Sequence, residues 1–384
     1  MSIFYLIYGL LGMLLLVALF NVCTAPMVKN GPRPQARPKV SLLVPARNEE
    51  KSILTCLASL IGQDYEPFEI IVLDDHSIDA TAALTQEFAI RDPRVRCIAG
   101  RPLSVGWTGK NWACHQLQQA ASGDILIFSG PDTFFSPDAV SRTVGWIQKL
   151  DLQLFSAVPQ QITVSWGEKL VVPVFDLLIY SFLPLWLTYR SRYPSLSAAN
   201  DQWLAFTRSG YDQIGGHAAI RGQTGEGAAI ARRAKSLGCK ILTASGRDAV
   251  FGRMYHSFTE VWYGFSQNAF GLVNFQTLPY FAMMAILLLA FVLPYGLAAY
   301  PLWTSPALVA IALNILLRLI LAVKFKQPLL FGVLLHPLGA LLTVAVALSS
   351  FYYYLIGNIL WKERAVPLRD GYNHERHERD TDAR

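Results

Sequence analysis

The distribution of charge limits what this chain can become more than any other feature. No Asp, Glu, Lys or Arg occurs from Met1 to Val28, from Val261 to Leu317, or from Gln327 to Trp361. In water such runs would leave a large exposed apolar patch; in lipid they are what insertion requires. Ile3–Cys23 is long enough to cross a hydrocarbon core of about 30 Å at ~1.5 Å per residue. The second run has room for two spans, about Pro279–Tyr300 and Pro306–Val323, and the third for one, about Phe331–Ile359. Composition agrees: 53% of residues are apolar and 16% charged, against roughly 25% charged in soluble proteins.

Lys29, Arg33, Arg37 and Lys39 come directly after the first run, and no basic region or small-residue cleavage site marks a signal peptide. The first segment therefore reads as an uncleaved anchor, and the positive-inside bias places the chain beyond Lys29 in the cytoplasm. Lys324 and Lys326 point to the same side. Three further crossings would carry the tail outside, whereas Lys362, Arg364 and Arg369 favour inside; a re-entrant hairpin at Pro337 is one way to reconcile the two. The chain divides into an anchor (1–28), a charged domain (37–260), a C-terminal membrane region (261–361) and a polar tail (362–384) expected to be disordered. Leu170–Tyr189, with one charge at Asp176 and several aromatics, is too short an apolar run to cross and reads as an interfacial helix.

Five scattered cysteines without a C-x-x-C pair give no support for a thiolate zinc site or a disulfide framework, and fit a reducing compartment. The net charge of +6 suits an anionic membrane surface. No basic run is interleaved with aromatics, so nucleic acid is not an expected partner.

The charged domain alternates short apolar runs with helical stretches. Strands are expected at Val40–Pro45, Phe68–Leu73, Val95–Ile98 and Asp124–Ser129, with helices over Ser52–Ile61, Ala80–Ile90 and Asn111–Ala121. This rhythm predicts an α/β fold with a mostly parallel sheet covered on both faces. Such sheets bind ligands beyond the carboxyl ends of their strands. There the chain places Arg47-Asn48-Glu49, Asp74-Asp75 and Asp132. Neither G-x-G-x-x-G nor G-x-x-x-x-G-K-[ST] comes after the first strand, so a glycine-rich phosphate cradle is absent. Carboxylates at strand ends can instead accept hydrogen bonds from a base or ribose, or hold a divalent cation on a diphosphate. Asp75 reads as a ligand-binding acid, and Asp79 as a turn residue capping the next helix.

Val40-Ser-Leu-Leu-Val-Pro-Ala-Arg-Asn-Glu-Glu50 and Glu69-Ile-Ile-Val-Leu-Asp-Asp-His-Ser-Ile-Asp-Ala-Thr81 resemble the opening of glycosyltransferase family 2, which has the GT-A fold. Gly106-Trp-Thr-Gly-Lys110-Asn-Trp-Ala113, Gly215-Gly-His217 with Arg221-Gly-Gln223, and Arg253-Met-Tyr255 with Trp262-Tyr-Gly-Phe-Ser266 are similar to a membrane-attached branch associated with carotenoid and hopanoid pathways. Trp361-Lys-Glu-Arg364 fits that branch too, with Glu363 where Gly is usual.

The resemblance implies inverting transfer of a sugar from a nucleotide donor, most often UDP-linked, to an acceptor hydroxyl or carboxylate on a lipid such as a carotenoid or other isoprenoid. It implies a bacterial inner membrane protein with a cytoplasmic catalytic domain. Pro45, Ala46, Asn48, Glu49 and Asp75 would bind the donor nucleoside, and Lys110 would lie near its diphosphate. Gly216, His217, Arg253 and Trp262 fall on the acceptor or diphosphate side. Trp262 also reads as a member of an interfacial aromatic belt.

The same resemblance exposes two departures. The expected Asp-x-Asp is Gly130-Pro131-Asp132, leaving Asp132 to hold Mg or Mn more weakly. The expected Glu-Asp before Ala231 is Glu226-Gly227, which removes the usual base. Glu226 is the substitute favoured by position, with His217 as another, and a carboxylate acceptor would need little base assistance. The alternative is a catalytically impaired relative acting as a membrane scaffold or nucleotide-binding partner. A polymer-extruding synthase is disfavoured because Gln-x-x-Arg-Trp is absent.

Overall fold

The computed structural model describes residues 2–273, 275–361 and 364–365. In chain order α1 (Ser2–Thr24) precedes β1 (Val40–Ala46), α2 (Ile53–Ile61), β2 (Phe68–Asp74), α3 (Thr81–Arg91), β3 (Val95–Ala99), α4 (Gly109–Ala120) and β4 (Ile125–Ser129). Next come β5 (Thr133–Phe135), α5 (Ala139–Leu150), β6 (Leu154–Val158), β7 (Gln160–Gln161), α6 (Trp166–Phe182), α7 (Leu187–Arg190), β8 (Trp203–Thr207), α8 (Arg208–Ile214), α9 (Glu226–Ser236), β9 (Ile241–Ser245) and β10 (Val250–Gly252). The chain continues through α10 (Phe258–Leu272), α11 (Thr277–Phe291), α12 (Leu293–Leu297), α13 (Thr304–Phe325) and α14 (His336–Leu355).

Strands β1, β2 and β4 are apolar runs with both faces covered, which makes them interior strands of a parallel sheet. The sheet has seven strands in the order β3-β2-β1-β4-β8-β6-β9. β8 alone runs against its neighbours, pairing antiparallel with both β4 and β6. That reversal matters for the site. Because Ser129 at the end of β4 pairs with Trp203 at the start of β8, the segment entering β8 lies beside the carboxyl ends of the parallel strands. A second small sheet, β5-β10-β7, closes one side of this edge.

Among the described residues four helices are long and apolar enough to cross a membrane: Ser2–Thr24, Thr277–Leu297, Thr304–Phe325 and His336–Leu355. The last starts with Pro337 in its first turn, where a missing N–H costs nothing, so this proline begins a helix rather than bending a hairpin. The stretch expected to lie as one interfacial helix, Leu170–Tyr189, is instead α6 and the short α7, joined through Leu183–Trp186.

α6 is wedged between the sheet domain and the apolar helices. Buried Asn21 of α1 donates to the carbonyls of Tyr180 (2.8 Å) and Leu183 (2.9 Å). Arg318 of α13, 1% exposed, donates to Pro173 O (3.1 Å) and Gln327 Oε1 (3.2 Å), and Gln327 donates to Asp176. Asp176, midway along α6, is thus part of an internal polar link. At the domain surface Asp248 pairs with Lys29, beyond α1, and with Lys326, beyond α13. Residues 362 and 363 of the Trp361–Arg364 motif, and the polar tail from 366, lie outside the described residues.

Candidate active site

The loops after β1 and β2 are tied together by local hydrogen bonds. Pro45 and Ala46 are the last residues of β1, in register with Leu73 and Asp74 of β2. Asp75 N–H donates to Ala46 O (2.8 Å), which fixes the Asp75 carboxyl, 3% exposed, at the sheet edge. Arg47 Nη1 donates to the carbonyls of Asp75 (2.6 Å) and His76 (3.0 Å). Asn48 takes a left-handed backbone (φ 52°), receives Ile78 N–H on Oδ1 (2.9 Å), and donates its own N–H to Ser77 Oγ (3.0 Å). Glu49 N–H donates to Thr81 Oγ1 (2.7 Å), and its carboxylate accepts from Ser52 Oγ (2.6 Å). Asp79 accepts from the N–H of Thr81 and of Glu50, a turn-shaping role. Asn48 and Glu49 therefore build the loop whatever else they contact.

The α4 entrance explains the Gly106–Ala113 motif. Thr108 caps the helix by accepting from Asn111 N–H, which places Lys110 in the first turn. Helix α4 begins two residues before the sequence spacing suggests. Buried Asn111 donates Nδ2 to the carbonyls of Ile220 (2.9 Å), Arg221 (3.2 Å) and Gln223 (3.0 Å), pinning the loop that leads to α9. Trp112 Nε1 donates to Pro102 O (3.0 Å), holding the preceding loop.

With that loop pinned, Glu226 at the start of α9 approaches Lys110. Between them stands a residue that sequence pattern alone misses. Asp201, in the segment entering β8, forms an ion pair with Lys110 and lies near enough to Glu226 for each carboxyl to shift the other. Asp201 is 34% exposed at its side chain and Lys110 18%, so the cluster opens to the cleft. Burial works to raise both carboxyls. For Asp201 the adjacent ammonium and its hydrogen bond win and hold the group below the usual carboxylate range. For Glu226 burial wins, and the Asp201 charge pushes the same way, so it is raised. The two carboxyls are thus pushed apart in pKa, with Asp201 the more readily ionised.

The next residue links this cluster to the other acid. Gln202 donates Nε2 to Asp132 Oδ2 (3.0 Å), and its carbonyl accepts Gly130 N–H (3.1 Å). Asp132, Gln202, Asp201 and Lys110 therefore succeed one another along the cleft. At Gly130, where the first motif acid would stand, an added Cβ would meet Asp132 Oδ1 at 2.5 Å. At Gly227, where the usual base would stand, it would meet Ala199 O at 2.5 Å and Asp201 N at 3.0 Å. The Gly227 position is thus closed by backbone, whereas at Gly130 only the movable Asp132 carboxylate stands in the way. Among the described residues no group of three or more His, Cys, Asp or Glu gathers to hold a metal. A single carboxylate remains compatible with a hard cation that draws its other ligands from a diphosphate and water.

His217 lies behind the cluster, 2% exposed. Tyr211 O–H donates to its Nδ1 (2.8 Å) and accepts its backbone N–H (3.1 Å), while Phe128 stacks edge-on at 4.7 Å. Burial, with the Lys110 charge nearby, holds the imidazole down at about 3, so it is neutral. Gly216 has φ 51°, and a Cβ there would enter the Tyr211 ring at 2.2 Å. Arg253 lies on the far side: its N–H donates to Asp132 O (3.1 Å) and its guanidinium pairs with buried Glu168 of α6 (3.5 Å). Trp262 packs among apolar residues of α6, α10 and α14, with Phe258 at 6.0 Å.

A parallel sheet interrupted by one antiparallel strand, with acids along its carboxyl edge and apolar helices beneath, is the architecture of a GT-A glycosyltransferase attached to a membrane-type helical region. Mannosyltransferase PcManGT of Pyrobaculum calidifontis, solved with GDP-Man and Mn2+, shares this fold with a TM-score of 0.58 at 16% identity, covering 92% of this chain and 98% of that one. Residues 41–214 match the family described as glycosyl transferase family 2, and the chain is a glycosyltransferase carrying a domain of that family. Similar curated proteins include the 4,4'-diaponeurosporenoate glycosyltransferase of Staphylococcus aureus strain MRSA252, 25% identical over 82% of this chain and 76% of that protein. The protein of the same description from strain USA300 is 27% identical over 56% of each chain.

Proposed function

We propose that the protein transfers a sugar, with inversion, from a nucleotide-sugar donor, in the first instance UDP-linked, to a membrane lipid of the isoprenoid class such as a carotenoid. The observation that carries this reading is the run of polar groups Asp132, Gln202, Asp201 and Lys110 at the carboxyl edge of the sheet, on a domain whose α6 is locked into apolar helices. An insoluble acceptor needs a site at the bilayer surface, and the locking of α6 into the apolar helices supports that placement. The bacterial relatives and the basic residues after α1 support a cytoplasmic-face orientation in a bacterial inner membrane.

In this reading Pro45, Ala46, Asn48, Glu49 and Asp75 receive the nucleoside. Lys110 and Arg253 offset diphosphate charge as the leaving group departs. Gly216 and His217 shape the acceptor wall, and Trp262 lines the membrane face. Asp132 would hold a magnesium or manganese ion, which supplies Lewis-acid neutralisation of the diphosphate when bound. The full-length protein in nanodiscs, offered radiolabelled nucleotide sugars and a bacterial lipid extract, should yield a labelled lipid. Nucleotide binding without any labelled product would instead support the non-catalytic reading, a nucleotide-binding membrane partner.

A further inference from the structure

We propose that Asp201 is the catalytic base of this enzyme and that the acceptor it serves is a hydroxyl. This rests on the transfer reading above and assigns a residue and an acceptor class within it. Three observations lead there. Space for a carboxylate at position 227 is closed by backbone, since a Cβ would stand 2.5 Å from Ala199 O and 3.0 Å from Asp201 N. The segment whose backbone fills that space, from Ala199 to Asp201, carries the Asp201 carboxylate beside it. That carboxylate lies one residue from Gln202, which touches Asp132, and it is partly open to solvent. The acid absent from the helix start is thus supplied by the strand that passes beside it.

The neighbours define the division of labour. Lys110 faces Asp201 from α4, Glu226 faces it from α9, and the neutral His217 and Cys114 lie farther in. Burial raises the Glu226 carboxyl while the Lys110 ammonium holds Asp201 below the usual carboxylate range, so Asp201 is the more readily ionised of the two and the better placed to accept a proton. In the transfer step the acceptor oxygen forms a bond to the anomeric carbon while its O–H proton passes to the Asp201 carboxylate. The bond from that carbon to the diphosphate oxygen breaks, and its electron pair stays with the diphosphate. Atoms and charge balance without another reactant. A carboxylate acceptor would enter beside an ionised Asp201 with Lys110 already paired, and would meet repulsion where a hydroxyl meets a hydrogen-bond acceptor.

The test uses the full chain in nanodiscs with an isoprenoid alcohol and the matching isoprenoid acid as acceptors, and the donor that the wild type turns over. Asp201→Asn should lower kcat for the alcohol on the order of 10²-fold or more. Formate should restore part of the activity of Asp201→Ala by occupying the vacated position, which a residue of purely structural value would not allow. Glu226→Gln removes the less readily ionised carboxyl and keeps its size, and should cost less than about tenfold. Equal activity of wild type and Asp201→Asn, a larger loss in Glu226→Gln than in Asp201→Asn, or preference for the acid acceptor each overturns the assignment. A wild type that transfers to neither acceptor nor to any extracted lipid defeats the transfer reading itself.

Discussion

The two ends of the sheet edge are assembled differently. On the donor side every contact of consequence joins the loop after β1 to the loop after β2, and those loops extend from strands adjacent in both sequence and space. On the acceptor side Lys110, Asp201 and Glu226 come from three distant segments, brought together by a reversed strand and by Asn111 bonding across to the 220–223 loop. A site made of neighbouring loops can vary one residue at a time. One made by convergence has to change its parts together, because each side chain occupies space that another segment would need.

That contrast predicts a counter-intuitive outcome for Gly227→Asp, the substitution that restores the acid usual in the family. The new side chain would drive against two backbone atoms rather than into a gap. Overpacking of this kind costs about 1–3 kcal/mol, and it moves Asp201 away from Lys110. Transfer should fall on the order of 10²-fold or more, and the melting temperature in detergent should drop. A variant that gained activity would mean that the acceptor side tolerates either arrangement, and the contrast would be lost.

The donor side should respond more locally. Asp75→Ala removes one buried acid from a loop whose backbone is held by Arg47 and by the Asp75 N–H bond to Ala46. Hydrogen bonds to charged groups contribute about 1.5–3 kcal/mol, so the Kd for UDP should weaken on the order of tenfold. kcat at saturating donor and the melting temperature should stay close to wild type. Titration calorimetry measures the first and scanning fluorimetry the last. If Asp75→Ala melts several degrees lower with binding intact, that acid belongs to the scaffold and not to the ligand.

Legibility in the sequence divides along the same line. The β1–β4 rhythm, the apolar segments and the acids at strand ends are local patterns, and the strands expected at Val40, Phe68, Val95 and Asp124 fall within a residue or two of β1 to β4. β8 does not declare itself, because Trp203–Thr207 has no neighbouring helix–strand rhythm to mark it. In sequence Asp201 is therefore one acid in an undistinguished loop. The pairing of Ser129 with Trp203 places it at the edge, and pairing is a property of topology. The close approach at Gly227 is equally invisible: the sequence reports a missing acid but not the backbone that stands in its place. A signal is nevertheless present. An Asp beside Gln at the mouth of an apolar run, in a chain lacking its expected base, is worth weighing as a displaced carboxylate.

The smallest effect separates the two sides by pH. His217 sits behind the acceptor cluster with its neutral ring accepting from Tyr211, and burial holds it at about 3. In the unfolded chain it titrates near ~6.5. The neutral ring is the folded form, so its contribution is complete above ~6.5 and drains away as pH falls toward about 3, at up to ~1.4 kcal/mol per pH unit. Asp79, in the loop after β2, loses its contribution in the same direction but in a lower pH window. Burial alone would raise it, but hydrogen bonds from Thr81 and Glu50 hold it below 3.8, so its contribution persists until the pH falls below that value. Between about pH 6 and 4.5 only the acceptor side should loosen. Hydrogen exchange should then rise across residues 211–227 while residues 40–81 stay protected, and His217→Asn should flatten the dependence because an amide oxygen can accept from Tyr211 without titrating. Equal loosening of both segments in wild type would show that the sheet edge opens as one unit, and the separation into two differently built halves would fail.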